Sequence, residues 1–192
     1  MKKIYLLSYN LISFFLWSYV LVSVLVSPLS FFNDISLLLK VVQTMAVLDI
    51  CHSYLGLSSS FRLPSTMQTT TRLIFTWFIL GHYEVTAFGW IPLMVVGSWS
   101  IIEIVRYLYY FLKVKFEKES KIPYFLVWLR YRLFFVLYPL GFFGEVACLY
   151  KTNIVEGLWA FLFLPYFLGL LFMMNHMYQL GKKKLKDKKQ GH

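Results

Sequence analysis

Residues 4–26, IYLLSYNLISFFLWSYVLVSVLV, form an apolar run of 23 positions that contains no Asp, Glu, Lys, Arg or His. About 20 apolar residues are enough for an α-helix to cross a bilayer. The run is longer than the apolar core of a secretory signal, and no cleavage site of small residues follows it. We therefore predict a retained first membrane helix.

The composition of the whole chain also indicates a membrane protein. Of its 192 residues, 59% are hydrophobic, 20% are aromatic and only 15% are charged. Soluble domains average about 45–50% apolar and about 25% charged residues. The formal net charge of +10 does not indicate nucleic acid as a partner, because the Lys and Arg residues lie between apolar runs rather than on one polar face.

Five further apolar runs follow the first, and continuous runs exclude the alternating pattern of a β-barrel. We therefore predict an all-α integral membrane protein. Its single transmembrane domain of six helices would cover residues 1–180, and a basic cytosolic tail would cover residues 181–192. The five further runs are residues 36–57, 63–80, 85–112, 122 onwards and 157–180.

The distribution of basic residues predicts the orientation in the membrane. With six crossings, 13 Lys and Arg residues fall on the side that holds both termini, whereas Lys40 and Lys151 fall on the other side. Because cytosolic loops carry an excess of Lys and Arg, both termini are predicted to be cytosolic. The Lys-rich tail is also expected to attract anionic membrane lipid.

Ionisable residues inside the apolar runs predict a hydrated interior. A charge at mid-bilayer costs about 2.5–3.5 kcal/mol on insertion scales, so several charges are retained only where a polar cavity receives them. The residues concerned are Asp49, Arg72, Glu103, Arg106, Arg130, Arg132 and Glu145.

A polar stripe occurs in the fifth run, where Tyr124, Tyr131, Tyr138 and Glu145 recur every seven residues. This spacing returns to nearly the same face of a helix. Interfacial tyrosines are one interpretation of the stripe. The other is a catalytic pair, because a phenol and a carboxyl group in apolar surroundings can serve as acid and base. We predict Tyr138 and Glu145 as the catalytic residues, with Pro139 kinking the helix between them.

Other charged residues have two interpretations each. Glu103 and Arg106 are three residues apart and form either a structural ion pair or part of a substrate site. Asp49 and His52 form either a satisfied polar pair or a general base. Two such residues do not make a metal site, and no metal or cofactor is predicted.

Arg130 and Arg132 differ by about 200° around a helix, so at most one of them can face the cavity. A cavity-facing arginine near the cytosol suits phosphate groups. The candidate substrate-binding residues are Glu103, Arg106, Arg130 and Tyr131.

Several motifs inside the apolar runs resemble one known family from about residue 5 to residue 180. The most specific are EIVRYLYY at 103–110 and YPLG at 138–141 with Glu145, because each fixes ionisable residues at a set spacing in a membrane segment. The others are YNL at 9–11, WSY at 17–19, LDICH at 48–52 with Gly56-Leu57, TMQTTTR at 66–72, WSII at 99–102 and RYRLFFVL at 130–137. The family is that of the very-long-chain (3R)-3-hydroxyacyl-CoA dehydratases, also called protein-tyrosine-phosphatase-like proteins.

This resemblance implies a six-helix protein of the endoplasmic reticulum membrane. It implies dehydration of a (3R)-3-hydroxyacyl-CoA to the trans-2-enoyl-CoA, the third step of very-long-chain fatty-acid elongation, with Tyr138 and Glu145 as the catalytic pair. The implied partners are the elongase condensing enzyme, the ketoacyl-CoA reductase and the enoyl-CoA reductase. The chain departs from the family at Asp49, where Glu is common, and at Gln190, where a dilysine retention signal would need Lys.

The older phosphatase label does not suit this sequence, because a Cys-x5-Arg loop from Cys51 would require Arg in place of Leu57. Dehydration needs a base for the C2 proton and an acid for the C3 hydroxyl, and we expect Glu145 and Tyr138 in these roles, with the reverse assignment open. We also expect a deep cavity that opens to the cytosol, with the CoA phosphates near Arg130 or Arg106. A non-catalytic scaffold of the elongation complex and a small proton-coupled transporter are the alternative functions.

Overall fold

A computed structural model describes residues 1–26, 31–57, 62–80, 89–152 and 159–189. Within these ranges all regular secondary structure is helical and no strand occurs, which confirms the all-α prediction. The α-helices are α1 (Lys2–Val26), α2 (Phe31–Met45), α3 (Val47–Tyr54), α4 (Arg62–Ile74), α5 (Ile91–Phe116), α6 (Tyr124–Arg132), α7 (Phe134–Lys151) and α8 (Trp159–Lys189). A π-helical turn, Phe75–Ile79, continues α4, and a 3-10 turn, Glu119–Lys121, precedes α6.

In the described part of the chain these elements form six helical rods, which confirms the predicted number. A turn at Ala46 separates α2 from α3, and a turn at Leu133 separates α6 from α7. At Leu133 the carbonyl accepts N–H bonds from both Val136 and Leu137. The chain remains helical through Pro139.

Four of the rods are long and apolar enough to cross a membrane: Lys2–Val26, Ser36–Tyr54, Ile91–Phe116 and Tyr124–Lys151. They fit a multi-pass membrane protein. Large apolar side chains such as Phe15, Phe78 and Phe143 are exposed on the outer faces of the rods, as expected of a surface that contacts lipid. Six crossings with both termini in the cytosol, and the division into a transmembrane domain and a tail, stay predictions.

Helix α5 is the centre of the fold, since it packs on α1 on one side and on α7 on the other. Trp17 of α1 and Trp99 and Tyr107 of α5 are among the most deeply buried side chains. The approach of α7 is close at Gly144, where an added Cβ would lie 2.5 Å from Cγ2 of Val95. The glycine therefore allows α7 to lie directly against α5.

The helix boundaries agree with local chemistry. Pro92 lies in the first turn of α5, where its missing N–H has no intrahelical partner to lose. Pro123 immediately precedes α6. Glu117 caps the C-terminal end of α5: it adopts the left-handed conformation at φ 57° and donates its N–H to the Lys113 carbonyl.

Three basic segments meet at one end of the fold. Lys3 of α1 donates a hydrogen bond to Glu117 at 2.5 Å and thereby lowers the pKa of that carboxyl. Lys188 of α8 contacts the Ser120 carbonyl. The N-terminus, the segment after α5 and the Lys-rich end of α8 therefore lie at the same end of the fold, while their cytosolic orientation stays a prediction.

Helix α8 continues without a break to Lys189, so the residues predicted as a tail begin inside a helix. Gly181 lies against Tyr131 of α6, where an added Cβ would be 2.8 Å from the tyrosine Cβ. Leu185 is buried in a cluster with Val127 and Tyr109. The first part of the tail thus has an apolar face as well as a basic one.

Candidate active site

Tyr138 and Glu145 line the same cavity, which lies between α4, α5, α7 and α8. We call it the Glu145 cavity. The empty space between its walls, including open space at its mouth, is about 680 Å³. The spacing of seven residues along α7 explains why both side chains reach one cavity.

The Glu145 carboxyl group is buried, with 5% of the residue exposed. Its Oε1 accepts a hydrogen bond from the indole N–H of Trp99 at 2.9 Å. No other described residue forms a hydrogen bond with Glu145, so Oε2 stays available to a molecule in the cavity. A positioned carboxyl oxygen with this freedom can exchange a proton with a bound substrate.

Trp99 is itself fixed by its neighbours. The ring of Phe75 meets the indole edge to face, with ring centroids 5.7 Å apart. The Arg72 guanidinium lies over the indole ring at 5.3 Å from the centroid, a favourable cation–π distance. The donor to Glu145 is therefore held from two sides.

Tyr138 is half-buried and donates a weak hydrogen bond to Oε1 of Gln68 at 3.4 Å. Its ring packs on Phe134, one turn earlier in the helix, with centroids 5.7 Å apart. Because the hydrogen bond is long, an arriving hydroxyl group can replace it. The phenol is thus oriented but not firmly engaged.

Beside this cavity, four charged residues form a chain of ion pairs across three helices. Arg72 of α4 contacts Glu103 of α5 at 2.5 Å. Arg106 contacts Glu103 at 2.6 Å and Asp49 of α3 at 2.5 Å. Tyr107 adds a hydrogen bond to Asp49 at 2.7 Å. The structure thus places Glu103 and Arg106 in ion pairs, as the structural interpretation of their spacing expects.

Asp49 and His52 do not form a hydrogen bond with each other. Asp49 is taken by Arg106 and Tyr107, whereas Nε2 of His52 lies 2.8 Å from the Tyr5 hydroxyl. The prediction that these two residues pair with each other, either as a polar pair or as a general base, is therefore wrong. No group of three or more possible metal-ligating His, Cys, Asp or Glu residues occurs in the described ranges.

A second cavity lies toward the basic end of the fold, and we call it the Arg130 cavity. Its volume, including open space, is about 1170 Å³. It shares Gln68, Ile102, Tyr138 and Met173 with the Glu145 cavity, so the two are contiguous. Its charged lining residues are Glu103, Arg106, Lys113, Arg130 and Lys184.

Arg130 has aromatic neighbours instead of an acidic partner among the described residues. It donates a hydrogen bond to the Tyr110 hydroxyl at 2.9 Å and lies 4.7–5.8 Å from the ring centroids of Tyr109, Tyr110 and Tyr131. Its buried Nε has no hydrogen-bond partner within the described ranges. A cation held in this way is suited to an incoming anion.

The structure separates residues that the sequence groups together. Arg132 is exposed and lines an outer groove with Tyr124, so it is Arg130 that faces the cavity. Of the four stripe residues, Tyr131 lines the Arg130 cavity, Tyr138 lines both cavities and Glu145 lines the deeper one. Tyr124 lies outside both.

Comparison with known proteins places the chain in a family. The family model described as "Protein tyrosine phosphatase-like protein, PTPLA" matches residues 43–187. The chain belongs to this family. The membership expected from the motifs is therefore confirmed, and the match includes Tyr138, Glu145 and all candidate substrate-binding residues.

Relatives in several organisms align with most of the length of this chain. A Schizosaccharomyces pombe protein named "probable very-long-chain (3R)-3-hydroxyacyl-CoA dehydratase" is 34% identical over 95% of this chain and 93% of its own length. A Caenorhabditis elegans protein named "very-long-chain (3R)-3-hydroxyacyl-CoA dehydratase" is 36% identical, over 77% of this chain and 69% of its own length. The human very-long-chain (3R)-3-hydroxyacyl-CoA dehydratase 2 is 30% identical, over 77% of this chain and 59% of its own length. No solved structure matches the chain.

Two residues of the candidate site were not predicted from the sequence. Trp99 contacts Glu145 and Gln68 contacts Tyr138, although both residues lie in motifs of the family resemblance. In the sequence, Trp99 and Gln68 are recognisable only as side chains with a polar or N–H group inside an apolar run of membrane-spanning length. That signal does not say which carboxyl or hydroxyl group the side chain meets.

The ion-pair chain predicts a loss of stability when Arg72 is replaced by Met. We expect unfolding to become easier by up to about 3–5 kcal/mol, because the substitution leaves the buried Glu103 carboxylate with one cation fewer. Denaturant unfolding of the detergent-solubilised protein, followed by tryptophan fluorescence, measures the change. Lys3→Met is the control: it removes a solvent-exposed pair and is expected to have little effect. Equal stability of Arg72→Met and the wild type would contradict the structural role of the chain.

Proposed function

We propose that this chain catalyses the dehydration of a (3R)-3-hydroxyacyl-CoA to the trans-2-enoyl-CoA, the third step of very-long-chain fatty-acid elongation. Membership of the family and the names of its relatives support the reaction. The observation that carries the proposal is that Tyr138 and Glu145 face one cavity between four helices. A scaffold without catalytic activity would not need this arrangement.

In the proposed reaction Oε2 of Glu145 takes the proton from C2, which is acidified by the adjacent thioester. The electron pair of the broken C–H bond forms the C2–C3 double bond, and the C3–O bond breaks. Tyr138 donates its phenolic proton to the departing hydroxyl group, which leaves as water. Return of the proton from Glu145 to Tyr138 completes the cycle.

Two neighbours are proposed to hold this pair in position. The Trp99 N–H occupies Oε1 of Glu145, so that Oε2 is the oxygen directed to the substrate. Gln68 accepts a hydrogen bond from the Tyr138 hydroxyl at 3.4 Å until the substrate hydroxyl replaces Gln68 as the acceptor. Positioning of this kind lowers the entropic cost of bringing the reacting groups together.

The substrate is proposed to extend through both cavities, with its CoA phosphates near Arg130 and Arg106. Lys113 and Lys184 add positive charge to the same cavity. One face of α8 lines the whole route, from Lys184 at the basic end to Tyr166 in the Glu145 cavity. These two residues are about 27 Å apart along an ideal helix. This is the approximate length of the route between the basic end and the buried carboxyl group.

We also propose six membrane crossings with both termini in the cytosol, residence in the endoplasmic reticulum membrane and association with the other elongation enzymes. Those partners are the condensing enzyme, the ketoacyl-CoA reductase and the enoyl-CoA reductase. The meeting of the three basic segments at one end supports the orientation. In this orientation the Arg130 cavity also lies toward the cytosol, from which CoA substrates arrive.

Removal of either catalytic group tests the reaction. We expect Tyr138→Phe and Glu145→Gln each to lower kcat for a (3R)-3-hydroxyacyl-CoA by a factor of about 10²–10⁴, the usual contribution of one general acid or base. The measurement is conversion to the enoyl-CoA by purified, detergent-solubilised protein. Tyr19→Phe and Glu117→Gln repeat the same substitutions at exposed positions and are expected to keep wild-type turnover. Wild-type turnover by Tyr138→Phe or Glu145→Gln would refute the assignment.

Replacement of Arg130 tests the proposed phosphate site. We expect Arg130→Met to raise KM for the CoA substrate by about tenfold or more with a smaller change in kcat, because a charged contact to a phosphate contributes about 1.5–3 kcal/mol to binding. Arg132→Met removes a cation two residues away on the outer surface and should leave KM unchanged. The steady-state kinetics of both variants decide the point, and an equal rise in KM for the two would contradict a specific site at Arg130.

A further inference from the structure

Gly169 of α8 lines the Glu145 cavity at a position where no close approach requires a glycine. A Cβ added there would have no described atom within 4 Å. Gly144 and Gly181 differ, because an added Cβ at either would lie within 3.0 Å of a neighbour. Glycine in a helix interior weakens the helix relative to alanine. What Gly169 supplies is therefore empty space in the cavity.

The surroundings of Gly169 are apolar. Tyr166 and Leu170 lie near it on α8, and Phe142 of α7 lines the same cavity. The rings of Phe142 and Tyr166 pack with centroids 4.9 Å apart. This part of the cavity therefore suits a hydrocarbon chain rather than the polar parts of a CoA substrate.

Exposed apolar residues lie in and beside the α4 and α8 walls of the cavity. Met67, which forms its α4 side, is 47% exposed. Helix α4 packs on α2 and α3, whereas α8 packs on α6 and α7. Exposed Leu168 and Phe172 flank the cavity on α8. A chain that leaves between α4 and α8 would thus enter lipid and not water.

We infer that the acyl chain of the substrate passes Gly169 and leaves the cavity between α4 and α8, so that the size of residue 169 sets the longest acyl chain that is converted. The inference rests on the proposed dehydratase function. The occupant is the hydrocarbon chain of the substrate, because in the proposed function the polar end lies in the contiguous Arg130 cavity and the reacting carbons lie at Tyr138 and Glu145. The apolar end of the substrate is then left with the region around Gly169 as its route out of the Glu145 cavity.

The test is a series of variants with increasing side-chain size, Gly169→Ala, Gly169→Leu and Gly169→Phe. Each is assayed with (3R)-3-hydroxyacyl-CoA substrates that run from medium to very long acyl chains. We expect kcat/KM to fall progressively for the longest substrates, by about tenfold or more in Gly169→Phe, while the shortest substrates are converted as by the wild type. The matched control is Leu168→Phe, the adjacent residue, which is 54% exposed and does not line the cavity. Its chain-length profile is expected to equal that of the wild type.

The outcomes separate this inference from the proposed function. Wild-type turnover together with an unchanged chain-length profile in Gly169→Phe would overturn the inference alone. An equal loss at every chain length in both Gly169→Ala and Gly169→Phe would also overturn it, because a blocked passage spares short chains. A wild-type protein that converts no member of the series would overturn the proposed function and the inference together.

Discussion

The buried ion pairs of Arg72, Glu103, Arg106 and Asp49 are the interaction on which the site depends. Charges in an apolar bundle are tolerated when they are paired, and these pairs tie α3 and α4 to the central helix α5. The same Arg72 that pairs with Glu103 covers the indole of Trp99. Trp99 in turn donates to Glu145. The position of the proposed base therefore depends on the ion pairs beside its own cavity.

A second constraint is the need for space between closely packed helices. Gly144 lets α7 approach α5, and Gly181 lets α8 approach α6. These contacts fix the walls of both cavities without filling them. Tyr138 lies where the cavities join, so a bound CoA ester would present its reacting carbons at the junction, with its charged and apolar ends on opposite sides.

Much of this arrangement follows from the sequence, because apolar length and helical periodicity are local properties. The six rods and the common cavity of Tyr138 and Glu145 were predicted in this way. The partners of Asp49 and His52 were not predicted, because their spacing of three residues suggests that they pair with each other. In the structure Asp49 pairs with Arg106 of α5, and His52 pairs with Tyr5 of α1. The same limit applies to Trp99, whose bond to Glu145 joins residues 46 positions apart. Tyr124 shares the period of the stripe, but it lies two turns before Tyr131, at the start of α6, and lines the outer groove instead of a cavity.

The most direct test of the central claim is a structure of the Glu145→Gln variant with a bound (3R)-3-hydroxyacyl-CoA. The account predicts C2 within about 3–3.5 Å of the residue 145 side chain and the C3 hydroxyl within about 2.6–3.2 Å of the Tyr138 oxygen. The phosphates should lie beside Arg130. A thioester bound away from Tyr138, or an acyl chain that occupies the Arg130 cavity, would contradict it.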